Sequence, residues 1–215
     1  MAQPHDQLVR AMFSDPRHAE GELRTLLPAP LVAALEWSAL EVVSGPSYVD
    51  ETLQERQLDL LYRVPIAGTA AGLDSAEPAL VYLLFEHQST VDPLMAARLL
   101  IYAGRVLDQW LREHPGARQI SLLVPLVLHH SRTGWTAPTR LLDVVAIPEP
   151  LRDSIGPHVP DFTFLLDDLA RVTDAELHAR AMSAASRLVL SALRFGRDPA
   201  VSPDDLLHTI ALLAE

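Results

Sequence analysis

The chain has 215 residues, of which 49% are hydrophobic and 21% charged, with a net charge of −11 and no cysteine. This length and composition indicate a folded globular domain with one substantial core. The lack of cysteine excludes disulfides and thiolate metal sites, leaving His, Asp and Glu as candidate ligands. The acidic balance argues against nucleic-acid binding over the whole surface, although a metal-dependent nuclease site is itself acidic and needs only a local basic patch.

The N-terminal segment MAQPHDQLVR lacks the positive region and following apolar stretch that mark a secretory signal. No apolar run approaches the roughly 20 residues needed to span a bilayer. We therefore expect a cytoplasmic protein with no membrane segment.

The first half of the chain predicts helices followed by strands. Residues 5–13, 16–28 and 29–37 have the apolar spacing and proline boundaries of short helices. Three apolar runs typical of strands follow: ALEVV before a Gly-Pro turn, LDLLYRVPI, and PALVYLLFEHQ.

The second half predicts a long helix that begins at Asp92-Pro93, because an Asp N-cap and a proline at the first helical position favour initiation. Residues 119–130 predict a strand with a bend or an edge at Pro125, and residues 161–169 predict the last strand. Residues 173–195 predict one helix with a capping box, and a final helix begins at Ser202. This order of elements is typical of an α/β or α+β domain.

Two of these strands bring polar residues together if they form an antiparallel hairpin. Placing Asp59 opposite Glu86 also places Leu61 opposite Leu84, and paired residues point to the same face. Period-2 alternation then adds Gln88 to that face. A slip of one residue in this register would separate the three side chains.

Neighbouring carboxylates repel, so a protein separates them, lets them share a proton, or binds a cation between them. Oxygen ligands of this kind suit Mg²⁺ or Mn²⁺, which activate water and offset charge during phosphodiester cleavage. The alternative is that Asp59 and Glu86 are two solvated strand ends, and spacing alone leaves both interpretations open.

Other polar residues have simpler interpretations. His129 and His130 are adjacent on a predicted strand and so point to opposite faces, which disfavours a shared zinc ion. The same parity separates His87 from its neighbours Glu86 and Gln88. Arg98, Tyr102 and Arg105 follow helical spacing and form either a phosphate-binding stripe or a solvated face. No Walker loop, GxGxxG, HExxH or GxSxG motif is present.

Four segments in order resemble the recombination-promoting nuclease (Rpn) family of the PD-(D/E)XK nuclease superfamily. They are PHDQLVRAMFSDP, YVDETLQERQLDLLYRV, YLLFEHQSTVDPLMAARLLIYAGRVLDQWLREH and VPLVLHHSRTGW. The resemblance covers roughly residues 4–170, and its most specific element is the aspartate of LDLLYRV followed by FEHQS. The family is also described as transposase-like.

This resemblance implies a restriction-endonuclease-like fold, with a mixed sheet flanked by helices over residues 1–170. The helices predicted beyond it would form a helical C-terminal extension over residues 171–215, packed on the same domain. Asp59 and Glu86 would hold Mg²⁺ or Mn²⁺, and Gln88 would orient the attacking water where most of the superfamily has lysine. The helix after Glu86 resembles an arginine-tyrosine helix of the family, which favours DNA contacts from Arg98, Tyr102 and Arg105.

The implied function is that of a metal-dependent DNA endonuclease of low sequence specificity, linked to recombination or mobile elements. A homodimer would suit the cutting of two strands. The competing hypothesis is a catalytically inactive nuclease fold that acts as a binding or regulatory module in phage defence or as a toxin-like partner.

Overall fold

The computed structural model describes residues 4–43, 60–67 and 80–195, and these residues form seven α-helices and five strands. Short 3-10 turns connect several of them. The helices are α1 Pro4–Phe13, α2 Pro16–Leu26, α3 Ala29–Ala34, α4 Met95–Glu113, α5 Arg152–Ile155, α6 Asp174–Ala179 and α7 Ala184–Phe195. The strands are β1 Glu41–Val42, β2 Leu60–Pro65, β3 Leu80–Gln88, β4 Leu122–His129 and β5 Leu165–Asp168.

The five strands form one mixed sheet in the order β1-β2-β3-β4-β5. The β1–β2 and β2–β3 pairs are antiparallel, whereas the β3–β4 and β4–β5 pairs are parallel. Helix α4 provides the crossover from β3 to β4 that a parallel connection requires. The prediction of a mixed sheet flanked by helices is confirmed.

The two faces of the sheet are covered by different elements. Alternate strand residues such as Tyr62 and Phe85 pack with residues from α1, α2 and α7. The residues between them, such as Tyr82 and Val127, pack with α4 and with Trp135. Strand β3 is therefore buried on both faces, which explains why VYLLF is continuously apolar and does not alternate with polar residues.

The register of β2 and β3 is the one that the hairpin argument predicts. Leu61 pairs with Leu84 and Arg63 pairs with Tyr82, and the described pairing ends at Leu60 opposite Phe85. Asp59 lies outside the described residues. The register is thus confirmed up to the residue next to Asp59.

Pro125 lies in β4 at a position where its missing N–H is tolerated. Strand β4 is an interior strand, so the prediction of an edge strand is wrong for β4 as a whole. Pairing with β5 begins only at Leu126, however, and Pro125 pairs with β3 alone. The proline lies where the interior strand has a single partner, because a missing N–H is tolerated where no second strand needs it.

The prediction of one helix over residues 173–195 is wrong, since the chain leaves the helix at Arg180. The capping box of Thr173 and Glu176 is present at the start of α6. Arg180 then has an extended conformation, and Ser183 starts α7 by accepting a hydrogen bond from the Ser186 amide at 3.1 Å. Tertiary contacts made by residues 180–183 override the local preference for a continuous helix.

The break allows Arg180 to join a buried ionic cluster with Glu22 on α2 and Asp167 on β5. Arg180 donates to both oxygens of Asp167, at 2.6 and 2.8 Å, and to Glu22 Oε2 at 3.1 Å. Burial, followed by repulsion from Asp167, raises the pKa of Glu22 well above its ordinary range, although Arg180 acts in the opposite direction. The cluster ties α2, β5 and the segment between α6 and α7 together.

Gly21 permits the same segment to approach α2. A Cβ at position 21 would lie 2.6 Å from the Met182 Cα atom, so no larger residue fits without moving the backbone. Gly104 on α4 has no heavy atom within 4 Å of the equivalent position. A side chain is therefore excluded at Gly21, whereas position 104 has room for one.

Two predicted features lie outside the described residues: the Gly-Pro turn after β1 and the helix beginning at Ser202. Within the described part of the chain, no helix combines the length and apolar character needed to cross a membrane.

We expect Gly21→Ala to destabilise the protein by about 1–3 kcal/mol, because the added methyl group forces residue 182 away from α2. Gly104→Ala should instead stabilise it by about 0.5–1 kcal/mol through the better helix propensity of alanine. Urea unfolding of the two variants measures both changes. A loss of stability in Gly104→Ala comparable to that in Gly21→Ala would contradict the proposed close approach.

Arg180→Met should lower the free energy of unfolding by about 3–5 kcal/mol, because it leaves the buried Asp167 carboxylate and the buried Glu22 carboxyl group without their cationic partner. Arg112→Met is a matched control, since Arg112 pairs with Asp108 on the exposed side of α4. Its effect should be no more than about 0.5 kcal/mol. Equal unfolding midpoints for the two variants in urea would show that the buried cluster does not stabilise the fold.

The raised pKa of Glu22 also predicts a pH dependence. The stability contributed by this carboxyl is fully present below its unfolded pKa, near pH 4, and is lost as pH rises through the higher folded-state pKa. Glu22→Gln cannot ionise, so its stability relative to the wild type should increase between about pH 4 and neutrality. Parallel stability curves for the two proteins over this range would refute the assignment.

Candidate functional site

Glu86 is a buried carboxylate at the C-terminal end of β3, on the face covered by α4. Only 2% of the residue is exposed, although a single residue separates it from the end of the strand. Gln88 follows on the same face and donates from Nε2 to Glu86 Oε1 at 3.0 Å. The predicted pairing of Glu86 with Gln88 on one face is therefore present in the structure.

Within the described part of the chain, Arg98 is the cation that pairs with Glu86. Its Nη2 atom donates to Glu86 Oε1 at 2.7 Å, and its Nη1 atom donates to Asp92 Oδ2 at 2.9 Å. Asp92 is itself held at the start of α4, where its Oδ1 atom accepts a hydrogen bond from the Leu94 amide at 2.9 Å. One guanidinium thus bridges the carboxylate at the end of β3 and the carboxylate before α4.

The environment keeps Arg98 charged. Burial lowers the pKa of Arg98, but the charge of Glu86 and hydrogen bonds to Tyr102 and Asp92 raise it more, and the net shift is upward. A buried carboxylate is tolerated when a hydrogen-bonded cation compensates the lost hydration. Glu86 and Arg98 therefore stabilise each other in a partly enclosed position.

The sequence interpretation gave Asp92 only the role of a helix cap and overlooked its contact with Arg98. Asp92 does cap the turn before α4, although the helix itself begins at Met95. Asp92 lies six residues after Glu86, across a tight connection, and six residues before Arg98. This spacing is the signal that could have linked the three residues.

The predicted basic stripe on α4 is turned partly toward the sheet. Tyr102 is buried, and its hydroxyl lies 3.4 Å from Arg98 Nη2. About a quarter of the Arg98 side chain is exposed, and Arg105 is half-buried. A role for these three residues in phosphate binding stays a prediction.

The histidines lie where strand parity predicts. His87 points away from Glu86 and stacks on His130, with ring centroids 4.7 Å apart. His129 points to the other face, where it packs edge-on against Trp135 and hydrogen-bonds Ser131 at 2.8 Å. His129 and His130 therefore do not share a metal site, and stacking accounts for the burial of His87.

A divalent metal fits the donor set at Glu86 only with further oxygen ligands. Among the described residues, no group of three or more His, Cys, Asp or Glu side chains could hold a metal ion. Mg²⁺ commonly uses only one or two carboxylates, with waters and substrate phosphate completing its shell. Glu86 supplies one such carboxylate, and Asp59, the predicted second, lies outside the described residues.

Comparison with known families assigns the chain to one of them. The model of the family described as "Putative transposase, YhgA-like" matches residues 3–213. The chain belongs to this family, and the match covers both the sheet and the C-terminal segment.

Curated relatives carry more specific names. The chain is 31% identical over 168 residues to the recombination-promoting nuclease RpnA of Escherichia coli strain K12, covering 77% of this chain and 54% of that protein. It is 30% identical to RpnD of Escherichia coli O157:H7, covering 77% of this chain and 61% of that protein. The predicted resemblance to the Rpn family is confirmed.

A third relative bears a different name. The inactive recombination-promoting nuclease-like protein RpnE of Escherichia coli strain K12 is 26% identical over 89% of this chain and 59% of its own length. The chain thus spans little more than half the length of these relatives. No solved structure matches the chain.

Proposed function

We propose that this protein is a metal-dependent DNA nuclease of the PD-(D/E)XK type. The observation that carries the proposal is the buried Glu86 carboxylate, presented with Gln88 at the end of β3 in the predicted register. The relatives named recombination-promoting nucleases support the assignment. So does the mixed sheet flanked by helices, which the resemblance to this superfamily implies.

Asp59 is proposed as the second carboxylate of the site. The described pairing of β2 and β3 ends at Leu60 opposite Phe85, and one further step of the same register would bring position 59 opposite Glu86. Paired residues share a face, so both carboxylates would then lie beside α4. This continuation of the strand is part of the proposal.

Asp59 and Glu86 would hold Mg²⁺ or Mn²⁺, which when bound polarises the phosphate and lowers the pKa of a coordinated water. Gln88 cannot supply positive charge, so its contribution is orientation. Its Nε2 atom is engaged by Glu86, which leaves its amide oxygen to accept a hydrogen bond from the attacking water. Attack of that water on phosphorus would form one P–O bond and break the bond to the leaving oxygen. The attacking water would release a proton to solvent, and the leaving oxygen would take one from solvent.

The basic residues of α4 are proposed to meet the DNA backbone. The chain has a net charge of −11, so DNA binding depends on local cations near the site. Arg98 already faces Glu86, and Arg105 lies two turns further along the same helix. We expect contacts to phosphate without base recognition, which is the reason for the proposed low sequence specificity.

Cleavage of a supercoiled plasmid in the presence of Mg²⁺ tests the proposal. Asp59→Ala and Glu86→Gln should each lose at least about 100-fold in rate, because each removes a metal ligand. Gln88→Ala should lose roughly 10- to 100-fold, because water is oriented less well. Asp108→Asn, which removes an exposed carboxylate from α4, is the matched control and should cleave like the wild type.

A competing proposal is a nuclease fold that binds DNA or a protein partner without cleaving. The relative named inactive, which matches 89% of this chain, favours it, and so does the net charge of −11. Equal residual cleavage in the wild type and all site variants would reject catalysis. Retention of DNA by the wild type in a mobility-shift assay, with no cleavage under any metal, would then support the binding module.

A further inference from the structure

The Glu86 carboxylate is held in place before any metal reaches it. Its Oε1 atom accepts one hydrogen bond from Arg98 Nη2 at 2.7 Å and another from Gln88 Nε2 at 3.0 Å. A carboxylate oxygen has about two lone-pair sites, so both sites of Oε1 are used by these donors. A metal that binds Oε1 must displace one of them.

Charge makes Arg98 the more important competitor. A guanidinium within hydrogen-bonding distance of Glu86 repels a divalent cation bound to the same carboxylate, and partial burial weakens solvent screening. Gln88 is neutral and can keep its hydrogen bond or rotate without such a penalty. Of these two described partners of Glu86, Arg98 therefore opposes metal binding more strongly.

Arg98 has a second anchor that allows it to leave Glu86. Its Nη1 atom is bonded to Asp92 Oδ2 at 2.9 Å, and Asp92 is fixed to the Leu94 amide. If the bond to Glu86 breaks, Arg98 stays tethered beside the site through Asp92. Its freed Nη2 atom could then donate to a phosphate oxygen, the anion for which a guanidinium is well suited.

We propose that Arg98 is an internal counter-ion that competes with Mg²⁺ for Glu86 and so couples metal binding to DNA binding. This inference rests on the proposed function. In the free protein Arg98 occupies Glu86 and weakens metal binding. A DNA phosphate that draws Arg98 away strengthens metal binding, and by reciprocity the metal strengthens DNA binding. Arg98 thus acts on the metal through Glu86 and on the DNA through its own guanidinium.

Calorimetric titration of the DNA-free protein with Mg²⁺ tests the competition without measuring activity. Arg98→Met should bind Mg²⁺ about tenfold more tightly than the wild type, because the competing charge is gone. Arg112→Met is the matched control. It removes the same charge from the same helix, roughly 21 Å further along its axis, and should leave the affinity unchanged.

Thermal unfolding provides a second readout, the rise in melting temperature on adding Mg²⁺. A purely structural role of Arg98 would leave this rise unchanged. Without metal, Arg98→Met should melt below the wild type, because Glu86 is left without its cation. Added Mg²⁺ should then raise its melting temperature more than that of the wild type. If Arg98 merely stabilised the fold, the variant would melt lower but respond to Mg²⁺ like the wild type.

A conservative variant keeps the test decisive if Arg98→Met does not fold. Lysine is a single point charge that cannot bridge Glu86 and Asp92 as the guanidinium does. Arg98→Lys should therefore bind Mg²⁺ more tightly than the wild type, by less than the methionine variant. If Arg98→Lys is the only variant that folds, an affinity for Mg²⁺ no higher than that of the wild type would overturn the inference.

The remaining outcomes separate this inference from the proposed function. Mg²⁺ binding that is lost in Glu86→Gln, but not strengthened in either Arg98 variant, would overturn the competition and leave the metal site standing. The absence of Glu86-dependent Mg²⁺ binding in the wild type and in both Arg98 variants would reject the metal site itself. Tighter binding in the Arg98 variants that disappears on adding Glu86→Gln would support both.

Discussion

The pairing of β3 along both of its edges is the constraint around which the structure is organised. Strand β3 is antiparallel to β2 and parallel to β4, and side chains from both of its faces are buried. A strand enclosed in this way is mostly apolar, and buried polar residues on it need hydrogen-bonding or charged partners in the neighbouring layers. The Glu-His-Gln sequence of residues 86–88 lies at this boundary. Strand alternation then directs Glu86 and Gln88 toward α4 and His87 toward the opposite layer.

Two ionic clusters hold this arrangement from different positions, and each has one arginine shared by two carboxylates. Arg98 bridges Glu86 and Asp92 beside α4. Arg180 bridges Asp167 and Glu22 beside α2. Buried charges are retained where hydrogen bonds and an opposite charge compensate their lost hydration. The Arg98 cluster is partly open to solvent and lies at the proposed catalytic site, whereas the Arg180 cluster is almost fully enclosed and connects elements of the fold.

Local sequence patterns predicted much of this structure. Hydrophobic runs located β2, β3, β4 and β5, and parity placed the histidines on the correct faces. The β2–β3 register followed from one pairing hypothesis. The errors arose where distant contacts override a local preference. Residues 173–195 have the composition of one helix, but the helix is broken at Arg180 because this side chain binds residues 13 and 158 positions away. The position of Pro125 depends on where β5 begins to pair, which its neighbours in sequence do not encode.

The sequence by itself determined the family, the alternation that separates Glu86 from His87, and the acidic composition, which means that the proposed DNA binding would depend on local cations. These properties depend on residue type and on spacing along one strand, so they can be predicted without knowledge of the fold. Only the tertiary structure decided that Arg98 turns toward Glu86 and Asp92. Its helical spacing is equally compatible with a solvated face, and the choice depends on how α4 packs across the end of β3. The difference has a physical cause: strand parity is a local property of the backbone, whereas the partner of a charged side chain is set by the elements that fold against it.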